Sequence, residues 1–214
     1  MATPLKIDFV SDVSCPWCAI GLNALEQALA RIGDDATLIL QFRPFELNPN
    51  MGPEGQDITE HLRQKYGATA EQQEQTRAMI RQRGQEVGLD FAMGKRSRIY
   101  NTFDAHRLLH WAGEQGRQRE LKHALFDAYF TQGDDPSAHA VLQAAAVKAG
   151  LDGEQAAQVL ASSRYAEQVR QDEEHYRRLG ISSVPAVIIN DRHLISGGQP
   201  ADVFERALRQ ILAA

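Results

Sequence analysis

The chain has 214 residues and a formal net charge of -5, with 24% charged and 43% hydrophobic residues. This composition is ordinary for a globular protein, and the absence of a basic run argues against a nucleic-acid or membrane-surface partner. No apolar stretch approaches the ~20 residues of a membrane-spanning helix. Residues Met1–Ile7 lack the basic region and apolar core of a secretory signal. We therefore expect a cytoplasmic protein, unless a signal has been removed.

The N-terminal part of the chain predicts a βαβ unit. Lys6–Ser11 alternates polar and apolar residues as a strand does. Apolar residues then recur at helical spacing as far as Ile32, and Thr37–Phe42 predicts a second strand. The two cysteines of the chain, Cys15 and Cys18, fall at the first strand-to-helix junction.

A long helical block follows and then a short return to strands. Residues 57–179 are rich in Ala, Gln, Glu, Arg and Leu and predict six or seven helices with essentially no strand. Ala186–Asn190 and His193–Ser196 predict a hairpin, and a last helix is expected from Pro200 to near Leu212. The fold class is therefore α/β, with a sheet domain at 1–50 and 178–214 and an inserted helical domain at 51–177.

The Cys15-Pro16-Trp17-Cys18 motif is the predicted reactive centre. Cysteines at this spacing on the first turn of a helix face one side, with Cα atoms ~5–6 Å apart, as a disulfide requires. Free N–H groups and the helix dipole stabilise an anion there. Cys15 is thus predicted to be an exposed nucleophilic thiolate, and Cys18 to resolve the mixed disulfide. Pro16 suits the first turn, and Trp17 should form an apolar rim.

Other uses of the two cysteines stay open at this point. A zinc site would need two more ligands, which His106 and His110 could supply in principle, although such histidine pairs are more often a solvated helix face. An iron–sulfur cluster would need four thiolates and therefore a dimer. The cysteines could also be inert. A reducing compartment and a loop this short argue against a structural disulfide, so we favour redox chemistry and predict no metal site.

Val184-Pro185 stands directly before a predicted strand, where proline is normally excluded. A cis proline would resolve this conflict and leave the backbone of Val184 free to pair with an extended substrate beside Cys15. An ordinary trans proline in a loop is an equal alternative on these residues alone.

Five segments together resemble the DsbA-like branch of the thioredoxin superfamily, and more closely its FrnE-type subfamily. The resemblance covers residues from about Leu5 to Leu212. The segments are SCPWC at 14–18, FRPFELNP at 42–49, NTFDAHRL at 101–108, GISSVPAVIIN at 180–190 and SGGQ at 196–199.

The resemblance implies a thioredoxin fold with a large inserted helical domain, and dithiol–disulfide exchange with protein or small-molecule thiols and no bound cofactor. It makes Cys15 the nucleophile, Cys18 the resolving cysteine and Pro185 a cis proline. Periplasmic DsbA enzymes typically have His in place of Trp17, so we expect a less oxidising couple here.

The same branch contains kappa-class glutathione transferases and 2-hydroxychromene-2-carboxylate isomerases, which use bound glutathione. Those relatives typically carry serine where this chain has Cys15, so the presence of both cysteines favours redox exchange. A glutathione-dependent isomerase or transferase acting on a small aromatic or polyketide-like substrate is the alternative, with glutathione as a co-substrate. A thioredoxin-fold binding module or chaperone with incidental cysteines is a third possibility. We favour a monomer over a dimer.

Four further residues carry weaker hypotheses. Asp12 could relay a proton to Cys18, cap the incoming helix or be a solvated loop carboxylate. Asn101, His106 and Arg107 lie in a segment of the resemblance and could line the groove over the cysteines, although Asn101 is equally well explained as a helix N-cap.

Overall fold

The structure of the protein is a computed structural model that describes residues 3–33 and 36–213. Its central sheet consists of β1 (Thr3–Ser11), β2 (Ala36–Pro44), β5 (Ala186–Ile189) and β6 (His193–Ser196), which are arranged in the order β2-β1-β5-β6. Helices α1 (Pro16–Ile32) and α9 (Ala201–Leu212) complete the sheet domain. β1 pairs with β2 in parallel and with β5 in antiparallel fashion. The predicted α/β class and its strand positions are thereby confirmed.

Strand β1 lies inside the sheet and has buried apolar side chains on both of its faces. Leu5, Ile7, Phe9 and Val10 are all fully buried. Apolar side chains on both faces are typical of a strand that is covered by helices on each side. Because β1 occupies the middle of the sheet, the segment that follows its C-terminal end, with Asp12, also lies inside the molecule.

Seven α-helices lie between residues 58 and 178, in agreement with the predicted number. They are α2 (Ile58–Tyr66), α3 (Ala70–Glu86), α4 (Phe103–Glu114), α5 (Gln118–Asp127), α6 (His139–Lys148), α7 (Gly153–Ala161) and α8 (Ala166–Arg178), and a π-helical turn (Ala128–Gln132) extends α5. Side chains cap several of them: Asp57 accepts from the N–H of Glu60, and Thr69 forms a reciprocal capping box with Gln72.

The expectation of no strand in this block was wrong in one detail. β3 (Gln56–Asp57) and β4 (Arg98–Ile99) form a two-stranded antiparallel ladder. Two residues are too few to produce an alternating pattern, so a sequence signal for such a pair does not exist. The ladder ties the start of α2 to the segment before α4.

The main hydrophobic core is shared between the sheet and the helical insertion. Leu22 and Leu25 of α1 and Phe204 of α9 lie in the same buried cluster as Ile80 of α3 and Phe126 of α5. Both cysteines belong to this cluster. The Cys15–Cys18 motif therefore starts a helix whose surroundings come from both parts of the chain. None of the helices described in residues 3–33 and 36–213 is long and apolar enough to cross a membrane.

Two glycines allow the β6–α9 connection to pack against the start of α1. A Cβ atom on Gly198 would lie 2.8 Å from the carbonyl oxygen of Trp17, and one on Gly21 would lie 3.1 Å from Cγ of Pro185. Both distances are shorter than ordinary van der Waals contacts. These close contacts fix the position of Pro185 and of the β6–α9 connection relative to the start of α1.

We predict that Gly198→Ala destabilises the protein by about 1–3 kcal/mol, because the new methyl group overlaps a backbone oxygen that cannot rotate away. Urea unfolding would measure the change. Gly94→Ala is the matched control, since a Cβ there meets nothing within 4 Å, and its effect should stay within about 0.5 kcal/mol. Equal unfolding midpoints for the two variants would contradict the proposed close contact.

Candidate active site

Cys15 is the N-cap residue of α1, and Pro16 follows it at the first helical position. The carbonyl oxygen of Cys15 accepts the N–H groups of Cys18 at 3.1 Å and Ala19 at 3.3 Å, while the side chain of Cys15 makes no capping hydrogen bond. Both cysteines are free thiols. The thiol of Cys15 is thus available for chemistry at the positive end of the α1 dipole.

The expected exposure of Cys15 is not observed, because only 3% of the residue is accessible to solvent. It lies in the main core cluster, against which the half-buried side chains of Trp17 and Val184 pack. Trp17 therefore packs on the buried cluster that contains both cysteines. This position is compatible with the predicted apolar rim.

The Val184–Pro185 peptide bond is cis, as the resemblance implied. Sγ of Cys15 lies 3.8 Å from the carbonyl oxygen of Val184, a weak thiol–carbonyl contact. Within the described residues no backbone hydrogen bond uses the N–H of Val184. The predicted pairing of this backbone segment with an extended substrate stays a prediction, but its polar groups lie beside the nucleophile.

Cys18 is fully buried. Burial raises the pKa of its thiol well above the usual value, and the neighbouring thiol of Cys15 adds to this. The charge of Lys122 and the backbone N–H of Asp12 act in the opposite direction. The stability of a Cys18 thiolate therefore depends on the groups around it.

Asp12 is fully buried between the end of β1 and the loop after β2, so it is not the solvated carboxylate considered above. Its Oδ2 accepts the N–H of Leu47 at 2.7 Å, and its Oδ1 accepts the N–H of Ser14 at 3.2 Å. It does not cap α1, since that position belongs to Cys15. The carboxylate instead holds the turn that leads into the helix.

His106 brings α4 into contact with Asp12. Its Nε2 atom lies 3.6 Å from Oδ1 of Asp12, and the residue is 3% exposed. That distance is longer than an ordinary hydrogen bond, and Nε2 has no hydrogen-bond partner among the described residues. Burial by itself raises the pKa of Asp12, but His106 and the N–H groups of Leu47 and Ser14 outweigh it and lower the pKa below its usual value. Asp12 is therefore ionised at neutral pH.

Asn101 and Arg107 do not contact either cysteine through a hydrogen bond in the described part of the chain. Oδ1 of Asn101 accepts the N–H of Phe103 at 2.9 Å, so its side chain caps α4 from one residue before the N-cap, Thr102. Its amide also donates to Oε1 of Glu46 at 3.3 Å. The prediction of Asn101 as the N-cap residue was therefore one position early.

Arg107 belongs to the interior of the helical insertion rather than to a groove over Cys15. Its guanidinium donates to the backbone carbonyls of Val159, Ser162 and Arg164 and pairs with Asp104 at 2.7 Å. These carbonyls lie at the end of α7 and in the connection to α8, where the regular helical hydrogen bonds end; the Val159 oxygen also accepts the N–H of Ser162 at 3.4 Å. Arg107 therefore stabilises that connection.

Two cations that act on the cysteines, the buried Lys122 and the half-buried Arg96, were missed from the sequence. Lys122 of α5 is 0% exposed, and Arg96, in the loop before β4, stacks 5.1 Å from the ring centres of both Tyr129 and Phe130. A signal existed for Lys122, which stands four residues before the buried Phe126 on the same helix face. No comparable signal existed for Arg96, which lies in an irregular loop.

No metal site is formed by the residues that the structure describes, since no three His, Cys, Asp or Glu side chains are grouped to hold an ion. His106 faces Asp12, whereas the ring of His110 packs against Tyr165 at a centroid distance of 5.0 Å. The two histidines therefore have separate partners.

We predict that Asp12→Asn destabilises the protein by about 1–3 kcal/mol at neutral pH, because two N–H groups lose a charged acceptor. Since the folded-state pKa lies below the usual value of 3.8, the contribution of Asp12 is complete above that value and is lost as the pH falls through the folded-state pKa. Urea unfolding at neutral pH and well below pH 3.8 should show a difference from wild type that shrinks on acidification.

Asp191→Asn is the control for that experiment, because its carboxylate is exposed and pairs with Lys6 at the surface. A constant difference between Asp12→Asn and wild type over this pH range would contradict the structural role. The same variant tests the proton-relay hypothesis, which requires slower thiol–disulfide exchange in a folded protein. An ionised carboxylate with this set of donors is a poor proton acceptor, so we expect little change in exchange rate.

Comparisons with known proteins agree with this architecture. Residues 6–209 match the DsbA-like thioredoxin domain family. An uncharacterised Bacillus subtilis protein, YwbO, is 28% identical over 205 residues, which are 95% of this chain and 96% of that protein. The crystal structure of a probable DsbA oxidoreductase from Streptomyces coelicolor superposes with a TM-score of 0.89 and 34% identity, over 98% of this chain and 90% of that one.

More distant structures share the fold at 16% identity. The cytosolic disulfide reductase DsbM of Pseudomonas aeruginosa, solved with GSH, has a TM-score of 0.69 over 98% of this chain and 100% of that one. A 2-hydroxychromene-2-carboxylate isomerase has a TM-score of 0.71 over 96% of this chain and 95% of that one. The family match over nearly the whole length, together with the cysteine pair and the cis proline, shows that the chain belongs to the DsbA-like thioredoxin domain family.

Proposed function

We propose that the protein is a dithiol–disulfide oxidoreductase that uses Cys15 and Cys18 as its redox pair. The observation that carries this proposal is the placement of Cys15 at the N-terminus of α1, 3.8 Å from the carbonyl of the residue that precedes the cis proline. Membership of the DsbA-like family supports it. We place the reaction in the cytoplasm, where a reducing environment keeps both thiols available.

The proposed reaction follows from the positions of the Cys15 and Cys18 sulfur atoms. The thiolate of Cys15 attacks a substrate disulfide, forms a mixed disulfide and releases the first substrate sulfur as a thiolate, which takes a proton from solvent. Cys18 then loses its proton and attacks Sγ of Cys15. The bond between Cys15 and the substrate breaks, the second substrate thiol leaves, and a Cys15–Cys18 disulfide remains. The substrate gains two electrons, and the reverse sequence oxidises a dithiol.

The reduction potential of the pair should lie between about -280 and -180 mV, nearer to thioredoxin at roughly -270 mV than to DsbA at roughly -120 mV. The reason is Trp17, whose neutral ring lacks the charge that stabilises a reduced thiolate in an oxidising couple. Equilibration in glutathione buffers, with alkylation and intact mass as the readout, measures it. A potential above about -150 mV would sink this expectation.

The burial of Cys15 favours a small thiol such as glutathione as the co-substrate. Glutathione could serve as the reductant of the Cys15–Cys18 disulfide, or as the bound cofactor of an isomerase or transferase, which is the second candidate function. In the second case glutathione should bind specifically and raise the melting temperature without being consumed. In the first case it should be oxidised as the disulfide is reduced.

A Cys18→Ala variant separates the two candidate functions. An oxidoreductase that has lost its resolving cysteine should accumulate mixed disulfides on Cys15, at a level far above wild type, when offered disulfide substrates. Mass spectrometry of the intact protein after acid quenching measures the adduct. Cys15→Ser with Cys18 intact is the matched control and should form none. A glutathione-dependent isomerase would instead keep its activity in Cys18→Ala, and that result would overturn the oxidoreductase proposal.

A further inference from the structure

Lys122 stands in an environment that is unfavourable for a charged side chain. The residue is 0% exposed, and its Nζ atom has no hydrogen-bond partner in the part of the chain that the structure describes. Nζ lies 5.0 Å from the centre of the Phe126 ring, within the range of a cation–π contact. Buried lysines without a partner are rare because desolvation of an ammonium group is costly. Retention of a lysine here therefore calls for a reason other than stability.

The groups that act on Lys122 are those of the redox site. Its amine interacts electrostatically with Cys18 most strongly, then with Asp12 and Cys15. Burial lowers the pKa of Lys122 to about 8, so most of the amine still carries a proton at neutral pH. Asp12 offsets part of this charge, but its oxygens are occupied by the N–H groups of Leu47 and Ser14.

A cavity of about 530 Å³ lies between β2 and helices α4 and α5, and both Lys122 and His106 line it. The other charged residues around the cavity are turned toward other partners. Arg43 pairs with Asp8, Glu114 accepts from Tyr165, and Glu120 pairs with Arg117. The Phe126 ring that the Lys122 amine faces belongs to the same buried cluster as Cys15 and Cys18, so Lys122 is a cavity-lining cation that borders the core containing the cysteines.

We propose that Lys122 is a positioning residue for the resolving step, in which its ammonium group is the counter-ion of the Cys18 thiolate. This inference rests on the proposed function and assigns a role to the helical insertion, because α5 supplies the charge to a cysteine of α1. Lys122 acts through Cys18 and does not contact the substrate. It keeps its proton throughout.

The step balances without a further reactant. In the mixed disulfide, Cys18 gives its thiol proton to solvent, and the resulting thiolate is stabilised by the ammonium group of Lys122. The thiolate attacks Sγ of Cys15, the Cys15–Cys18 bond forms, and the bond from Cys15 to the substrate sulfur breaks. The substrate leaves as a thiolate and is protonated by solvent. The two cysteines are oxidised by two electrons, and the substrate disulfide is reduced by two.

The test measures the thiolate of Cys18 directly. In a Cys15→Ser background only Cys18 titrates as a thiol, and its ultraviolet thiolate absorbance gives the midpoint of the titration. Adding Lys122→Met, which preserves side-chain length and removes the charge, should raise that midpoint by about one pH unit, so about tenfold less thiolate is present at a given pH. In the protein with both cysteines, Lys122→Met should slow resolution of a preformed glutathione mixed disulfide about tenfold and change its formation much less.

Lys148→Met is the matched control, because its amine is 63% exposed and pairs with Asp127 on the surface. It should leave the Cys18 titration unchanged. The melting temperature of Lys122→Met should stay equal to that of wild type or rise, since an unpaired buried charge has been removed. A merely structural lysine would show the opposite pattern, with a lower melting temperature and the same Cys18 titration, and that result would overturn the proposal.

Lys122→Gln provides a second neutral variant if Lys122→Met does not fold, and an unchanged midpoint in either folded variant rejects the proposal. The titration does not depend on turnover, so its outcome is independent of the proposed function. A protein without dithiol exchange but with a midpoint that depends on Lys122 would contradict the oxidoreductase proposal alone. Normal exchange with a midpoint independent of Lys122 would contradict the role of the lysine alone.

Discussion

Both sulfurs of the redox motif lie inside the main hydrophobic core, and the rest of the site is arranged around that burial. A thiolate in an apolar interior is destabilised unless fixed charges or N–H groups are directed to it. Cys15 is the N-cap residue and lies at the positive end of the α1 dipole, although its side chain makes no capping hydrogen bond. Cys18 lies one turn deeper and is fully buried, so its thiolate depends on charge brought by other elements. The helical insertion brings such a charge with Lys122 on α5.

Asp12 connects the parts of this arrangement. Its carboxylate accepts N–H groups from the turn into α1 and from the loop after β2, and it faces the imidazole of His106 on α4. One ionised side chain thus holds the end of the central strand, the start of the catalytic helix and the helical insertion at one point. This explains why a carboxylate is tolerated at 0% exposure, since buried charges persist where hydrogen bonds and an opposite charge compensate for lost solvation. The same contacts lower the pKa of Asp12, so its carboxylate is a weak base, and the proton relay stays a prediction.

The sequence was sufficient for the features that depend on local patterns. Alternation in β1 and helical spacing in α1 are local signals, and each appears at the predicted place. The cis state of Pro185 needed the resemblance, since the residues around it were compatible with either isomer. The burial of Cys15 and the partners of Arg107 could not be predicted, because they depend on how the insertion packs on the sheet. For Lys122 only part of the answer was available from the sequence. Its position on the buried face of a helix could be predicted, but the cysteine that it acts on could not.

In the proposed reaction, the different environments of the two cysteines account for the order of events. Cys15 has the carbonyl of Val184 beside it and lies at the N-terminus of α1, so we infer that it reacts first. Burial raises the pKa of Cys18, which would keep it a thiol until its attack on Cys15. A resolving cysteine that ionised freely would compete for the substrate or close the disulfide early. A buried ammonium group that partly offsets the desolvation of Cys18 leaves this order intact while allowing the second step to proceed. In this proposal, burying an unpaired lysine lowers the stability of the fold and makes a protected Cys18 reactive. Functional sites commonly show such a compromise between stability and activity.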